Sequence, residues 1–156
     1  MTDSLNNKTF NVTVTVTGKT KLSNGQPAYI WTYQYPDRLG TQYVLDTQDS
    51  VIFYGNTEVI DSTKIDILDV YHFPLTVGAK WKVSSIRDTS TVVSLSPFNM
   101  NGKTYNDTYL IHEYGRGYNY SISKNIWIEP NVGLIRIDHN SQEEFDSWQL
   151  ISYSLK

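Results

Sequence analysis

Apolar and polar residues alternate from Phe10 to Thr17 (Phe-Asn-Val-Thr-Val-Thr-Val-Thr), and related runs recur along most of the chain. Side chains on a strand point to opposite faces with period two, so such a run predicts a strand with one buried and one wet face. Asn24-Gly25 marks a hairpin into a second strand, Tyr29 to Tyr35, closed by Pro36-Asp37-Arg38-Leu39-Gly40. Strands are then expected at Gln42–Asp46 and Ser50–Tyr54, with Thr47-Gln48-Asp49 turning between them. Lys64–Phe73 reads as a longer strand whose alternation slips where Ile67 and Leu68 adjoin, which predicts a bulge there. Pro74 ends it, and Val77-Gly78 turns the chain toward Trp81-Lys82-Val83.

In the second half, Thr91–Leu95 is expected to be a strand ended by Pro97, and Asn101-Gly102 a turn into Thr104–Tyr114. Gly115-Arg116-Gly117 reads as a hairpin tip, followed by alternation at Tyr118, Tyr120 and Ile122 and a strand at Asn125–Glu129. Pro130-Asn131-Val132-Gly133 turns into Leu134–Asp138, and the last strand is placed at Trp148–Leu155. The only helix candidate is Ser141–Ser147, of one or two turns. The pattern predicts an all-β chain: a curved antiparallel up-and-down meander of about ten or eleven strands, closed or half-open as a barrel, with little helix. Residues 1–7 read as a flexible polar leader and 8–156 as a single β-domain, with no internal repeat or linker.

The chain has no cysteine, which excludes disulfides, thiolate zinc sites and a cysteine nucleophile. Its net charge of −3 and charged fraction of 19% give no polyphosphate-seeking surface, so nucleic acid is not an expected partner. Lys8, Lys19 and Lys21 are the nearest approach to a basic cluster and read as solvent-facing residues of an edge strand. No apolar run approaches the ~18–20 residues of a membrane helix. The four Asn-x-Ser/Thr sequons, at Asn7, Asn11, Asn106 and Asn119, are expected by chance in a chain this rich in Asn, Ser and Thr.

Catalytic chemistry finds little support. His72, His112 and His139 are far apart and lack metal-ligand spacing, and Asp61, Asp66 and Asp69 lack the alternation and glycine of a calcium loop. No nucleophile elbow, phosphate-cradling loop or dinucleotide fingerprint occurs. Neither catalytic residues, a metal nor a cofactor are therefore assigned. A triad assembled from scattered Ser, His and Asp is the alternative that would make the chain a small hydrolase. The aromatic content points elsewhere. Twelve tyrosines and four tryptophans suit stacking on sugars or lining an apolar pocket as well as they suit sheet packing. Tyr29, Trp31, Tyr33 and Tyr35 share one strand face, and together with Trp127 they are the candidate ligand-binding residues.

Three segments taken together carry a resemblance. They are His72-Phe-Pro-Leu-Thr-Val-Gly-Ala-Lys-Trp81, then Asn101-Gly-Lys-Thr-Tyr105 leading to Tyr109-Leu-Ile111, then Trp127-Ile-Glu-Pro-Asn-Val-Gly-Leu-Ile-Arg136. Their order resembles a broad group of uncharacterised exported bacterial β-domains, many of them lipoproteins, over about residues 28–155. The resemblance implies a curved antiparallel domain of the cell envelope. It also implies tight turns at Val77-Gly78 and Val132-Gly133, sheet packing by Trp81 and Trp127, and no catalytic residues. Asn101 departs from the alanine more often found there, and Met1–Asn7 read as a polar start, either native or standing where a targeting segment or lipid-anchored cysteine is expected from the resemblance. The combined expectation is a non-catalytic, extracytoplasmic β-domain that binds a hydrophobic small molecule, a glycan or an envelope protein. A purely structural module and a cytoplasmic protein are the blander readings. Monomer and homodimer both fit, since an exposed sheet edge can pair with a second copy.

Overall fold

A computed structural model of the chain describes residues 2–3, 8–55, 67–83, 88–116, 121–141 and 145–154. All regular structure among these residues is antiparallel β, in two sheets, and no helix occurs. The chain groups into two compact units, one of Met1–Thr9 with Leu75–Lys156 and the other of Phe10–Pro74.

The Phe10–Pro74 unit holds β3 (Thr13–Lys21), β4 (Pro27–Gln34), β5 (Leu39–Asp46), β6 (Ser50–Tyr54) and β7 (Ile67–His72), each paired with its chain neighbours. The hairpins are set locally. Gly25 takes φ +83° and donates its N–H to Leu22 O at 2.8 Å, while Asn24 Oδ1 accepts from Gln26 N at 3.0 Å. A left-handed backbone at that point needs glycine, which is what the Asn24-Gly25 pair signals. Tyr35 N to Arg38 O (2.9 Å) and Thr47 N to Ser50 O (2.8 Å) close the next two turns. Phe53 pairs with Asp69 but Tyr54 pairs with Ile67, so Leu68 is the extra residue of a bulge at the position where the alternation slips. Leu22, Ala28, Leu45 and Tyr54 are buried together on one face, with Tyr43 and Ile52 packed against them.

In the other unit, β8 (Lys80–Lys82), β9 (Thr89–Met100), β10 (Lys103–Arg116), β11 (Ser121–Glu129), β12 (Gly133–Ser141) and β13 (Phe145–Gln149) follow one another as a meander. The short strands β1 (Thr2–Asp3) and β2 (Lys8–Thr9) extend it beyond β13, and β1 lies within the stretch expected to be a polar leader. Neither sheet closes on itself among the described residues; β2 and β8 end one, β3 and β7 the other. The register Val92–Ile111–Ile126–Ile137 runs an apolar row across four strands, with Ile111 and Ile126 fully buried.

Three expectations are corrected. The strand expected to stop at Pro97 runs from Thr89 to Met100. Pro97 has no N–H to give a ladder, but it sits opposite the register shift between Tyr105 and Thr108, where no such bond is required. The helix candidate Ser141–Ser147 is instead the end of β12 and the start of β13, because Asn140 already pairs with Phe145; residues 142–144 lie outside the described residues. The final strand accordingly begins at Phe145 and stops at Gln149, short of the expected Leu155. Tyr118, Tyr120 and residues 56–66, including Asp61 and Asp66, lie outside the described residues.

Candidate functional site

The register of the five-stranded sheet decides what shares a face with the aromatic strand. Tyr29, Trp31 and Tyr33 sit opposite Val44, Gln42 and Gly40 of β5, and Val44 in turn sits opposite Phe53 and Phe53 opposite Asp69. This face thus carries aromatic rings beside an amide and a carboxylate, with Val44, Phe53 and Tyr71 buried and Tyr29, Trp31 and Tyr33 half-buried. Trp31 meets Phe53 edge-on at 5.4 Å between centroids, and Phe53 meets Tyr71 likewise at 5.9 Å. Edge-to-face contacts of this kind hold ring orientations fixed and contribute about 0.5–1.5 kcal/mol each beyond area burial.

At the other end Tyr33 stacks on Tyr35 at 6.5 Å, with their planes 23° apart. The Arg38 guanidinium lies 4.7 Å from the centre of the Tyr35 ring, and Phe10 packs on the same ring at 6.3 Å. Gly40 makes this possible: a Cβ there would come within 3.2 Å of Tyr35 Cε2. At the opposite end Lys19 Nζ sits 4.7 Å over the Tyr29 ring. The four predicted residues are all half-buried, so their rings are anchored at one side and presented at the other.

Tyr33 is the electrostatic centre of the face. Its hydroxyl donates to Gln42 Oε1. Its ionisation is pushed above the ordinary tyrosine range by burial first, then by the neighbouring Tyr35 and Asp69. The neutral phenol is therefore the form that fits the fold. Because the folded state holds this proton more tightly than the unfolded chain, its stabilising effect is complete below about pH 10 and is lost as pH rises further. In an alkaline absorbance titration at about 295 nm, Tyr33 should still be un-ionised near pH 11, and Tyr33→Phe should reduce the late phase by the amplitude of one tyrosine. Ionisation of every tyrosine in one step near pH 10 would contradict this environment.

Trp127, the fifth predicted residue, belongs to the other unit. It stacks on Phe98 at 5.3 Å, carries the Arg136 guanidinium 5.3 Å above its ring, and packs against the buried cluster of Met100, Tyr105 and Ile135. Of the residues that complete the aromatic face, Arg38, Gly40, Gln42, Phe53, Asp69 and Tyr71 were not foreseen. The signal that could have found Gly40 and Gln42 is the Tyr35–Arg38 turn, which fixes the β4–β5 register.

Three polar constellations lie elsewhere among the described residues, two in one unit and one in the other. In the Leu75–Lys156 unit, Glu113 is 3% exposed, accepts from Ser90 Oγ at 3.2 Å and pairs with Lys124 Nζ at 3.1 Å. On the opposite side of that sheet, Asp138 accepts from Arg136 Nε and Nη2 at 2.9 and 2.8 Å and from Ser147 Oγ at 2.6 Å. In each, a serine hydroxyl donates to a carboxylate that is also paired with a cation, and no imidazole stands between hydroxyl and carboxylate as a triad requires. In the Phe10–Pro74 unit, Ser50 Oγ lies 2.8 Å from His72 Nδ1, the nearest approach to a hydrolytic pair. Asp49 Oδ1 accepts from the serine hydroxyl at 3.4 Å, so Asp49 stands on the nucleophile's side of this pair and does not take the place of a triad's acid. Among the described residues no group of three or more His, Asp or Glu is arranged to hold a metal ion, and no helix is long and apolar enough to cross a membrane.

Comparison with known proteins returned no match: no family model fits the chain, and no curated protein or solved structure is detectably similar to it.

Proposed function

We propose that this chain is a non-catalytic binding domain of the bacterial cell envelope, and that the Tyr29–Trp31–Tyr33–Tyr35 face receives a glycan. The observation that carries the reading is the composition of that face. Half-buried aromatic rings in fixed orientations alternate with Gln42, Asp69 and the Tyr33 hydroxyl. A pyranose presents apolar C–H faces that stack on such rings and equatorial hydroxyls that pair with amide and carboxylate groups. A purely hydrophobic ligand would displace water from the Gln42 amide and the Asp69 carboxylate without replacing it by polar groups, which costs free energy, whereas sugar hydroxyls can add to the Tyr33–Gln42 bond. The envelope assignment is supported by the resemblance of the His72–Trp81, Asn101–Ile111 and Trp127–Arg136 segments to exported bacterial domains.

The test is calorimetric titration with a panel of soluble oligosaccharides of β- and α-linked hexoses and N-acetylhexosamines. One class should bind, and Trp31→Ala should weaken it by about 30-fold, as loss of a central aromatic anchor does, with the circular dichroism spectrum retained. Binding unaffected by Trp31→Ala, or no binding across the panel, would contradict the assignment.

A further inference from the structure

The outer edge of β3 is open and exposed among the described residues. β3 ends the five-stranded sheet and pairs only with β4 among the described residues. Residues 13–17 are all exposed, with Val14 at 43% and Val16 at 55%. Their sequence is Thr-Val-Thr-Val-Thr, β-branched throughout, with no charge, glycine or proline. An edge strand of this kind offers unpaired backbone donors and acceptors and is a template for a further strand. Sheet edges are normally protected by lysine, proline or a bulge. Here the protection is displaced: Lys19 and Lys21 lie beyond the bulge between Val16 and Gly18, at the far end of the strand.

We propose that the chain self-associates through antiparallel pairing of β3 with β3 of a second copy, about a two-fold axis at Thr15, the centre of the exposed run. This register sets Val14 opposite Val16 of the other copy and Thr13 opposite Thr17. Both are favourable cross-strand pairs. The valines lie on the same face as Trp31 and Tyr33, with which Val16 and Val14 are paired across β4, so the contact continues the apolar surface from one copy to the next. The lysines select the arrangement. Two-fold pairing of the exposed run leaves the Lys19 and Lys21 of the two copies at opposite ends of the contact, away from their equivalents. In-register parallel stacking would set each lysine beside its equivalent, a destabilising like-charge contact. The two-fold contact occupies the β3 edge of both copies at once, so at this edge it closes as a dimer and does not propagate. Pairing over five residues per copy falls below the ~1,000 Å² of a stable interface, so a weak, concentration-dependent dimer is expected. The inference does not depend on the glycan reading.

The test is sedimentation velocity of the full chain over about 5–500 μM, on the wild type, Thr15→Lys and Thr15→Glu. Thr15 is exposed, so both variants should keep the wild-type circular dichroism spectrum. The wild type should shift toward dimer as concentration rises. Each variant alone should weaken the dimer by about fivefold or more, since two like charges then face each other at the axis. An equimolar mixture of the two should recover association through the Lys–Glu pair. A wild type that stays monomeric throughout, a dimer indifferent to Thr15→Lys, or a mixture no better than either variant would each overturn the proposal.

Discussion

Ile111→Ala is expected to destabilise the protein by about 4 kcal/mol in urea unfolding, near the upper end for a buried aliphatic truncation. Ile111 is fully buried at the middle of the Val92–Ile111–Ile126 row. Its neighbours on either side belong to paired strands held in register, so the site has little freedom to collapse around the lost methylenes, and the cavity term adds to the transfer term. The control lies one residue from the row. Val93 is 48% exposed and is skipped where Leu110 pairs with Ser94 and Ile111 with Val92, so Val93→Ala should change stability by about 0.5 kcal/mol or less. Similar costs for the two substitutions would mean that this row is not the core.

The second large effect is an asymmetry within one ion pair. Lys124→Met should cost about 3 kcal/mol at neutral pH, because it removes the ammonium from a carboxylate that water hardly reaches. Glu113→Gln should cost about 1 kcal/mol: the amide keeps the shape and can still accept from Ser90. Lys124 retains 20% of its exposure against 3% for Glu113, so its long side chain can carry the charge outward when the partner is lost. The double variant should be more stable than the two separate costs predict, since the charge whose isolation was expensive is gone. Unfolding free energies of the four proteins decide this. Equal costs for both single substitutions would contradict the burial asymmetry.

Much of the fold is legible in the sequence where a single residue must satisfy a backbone condition. Gly25, Gly102 and Gly133 all take positive φ in the turns where they were placed, and Gly78 does so ahead of β8. The Leu68 bulge is legible because two adjacent apolar residues cannot both face the same side of a strand. The errors arise where pairing overrides local signals. Pro97 reads as a terminator, yet it is accommodated by an irregularity on the opposite strand that the sequence does not display. The polar run at 141–147 resembles a short helix, but Asn140 pairs with Phe145, so Ser141 and Phe145–Ser147 belong to strands. After Gln149, Leu150 N still donates to Ile135 O at 2.8 Å, but Ile151 and Tyr153, which continue the alternation, join no ladder among the described residues.

The candidate site was half legible. Period-two spacing places Tyr29, Trp31 and Tyr33 on one face whatever the tertiary structure, and the rings of Tyr33 and Tyr35 do stack. Gln42, Gly40 and Asp69 depend on cross-strand register, which alternation alone leaves free to slide. Trp127 shows the converse: aromatic identity does not reveal which sheet a residue will serve, and its ring belongs to the Met100–Tyr105–Ile135 cluster of its own unit. Glu113 carried a signal that could have been used. It follows Tyr109 and Ile111 in the apolar phase of its strand, so the alternation itself marks a charge on a buried face.

The central claim is that the aromatic face of the Phe10–Pro74 unit binds a glycan. The chain has four tryptophans, Trp31, Trp81, Trp127 and Trp148, of which only Trp31 lies on that face. The most direct measurement is a two-dimensional ¹⁵N–¹H spectrum of their indole groups, assigned by single Trp→Phe variants and followed during titration with the oligosaccharide panel. The Trp31 signal should shift progressively with one class of oligosaccharide while the Trp127 signal holds its position. A Trp31 signal that stays fixed at saturating oligosaccharide, or a shift confined to Trp127, would contradict the account.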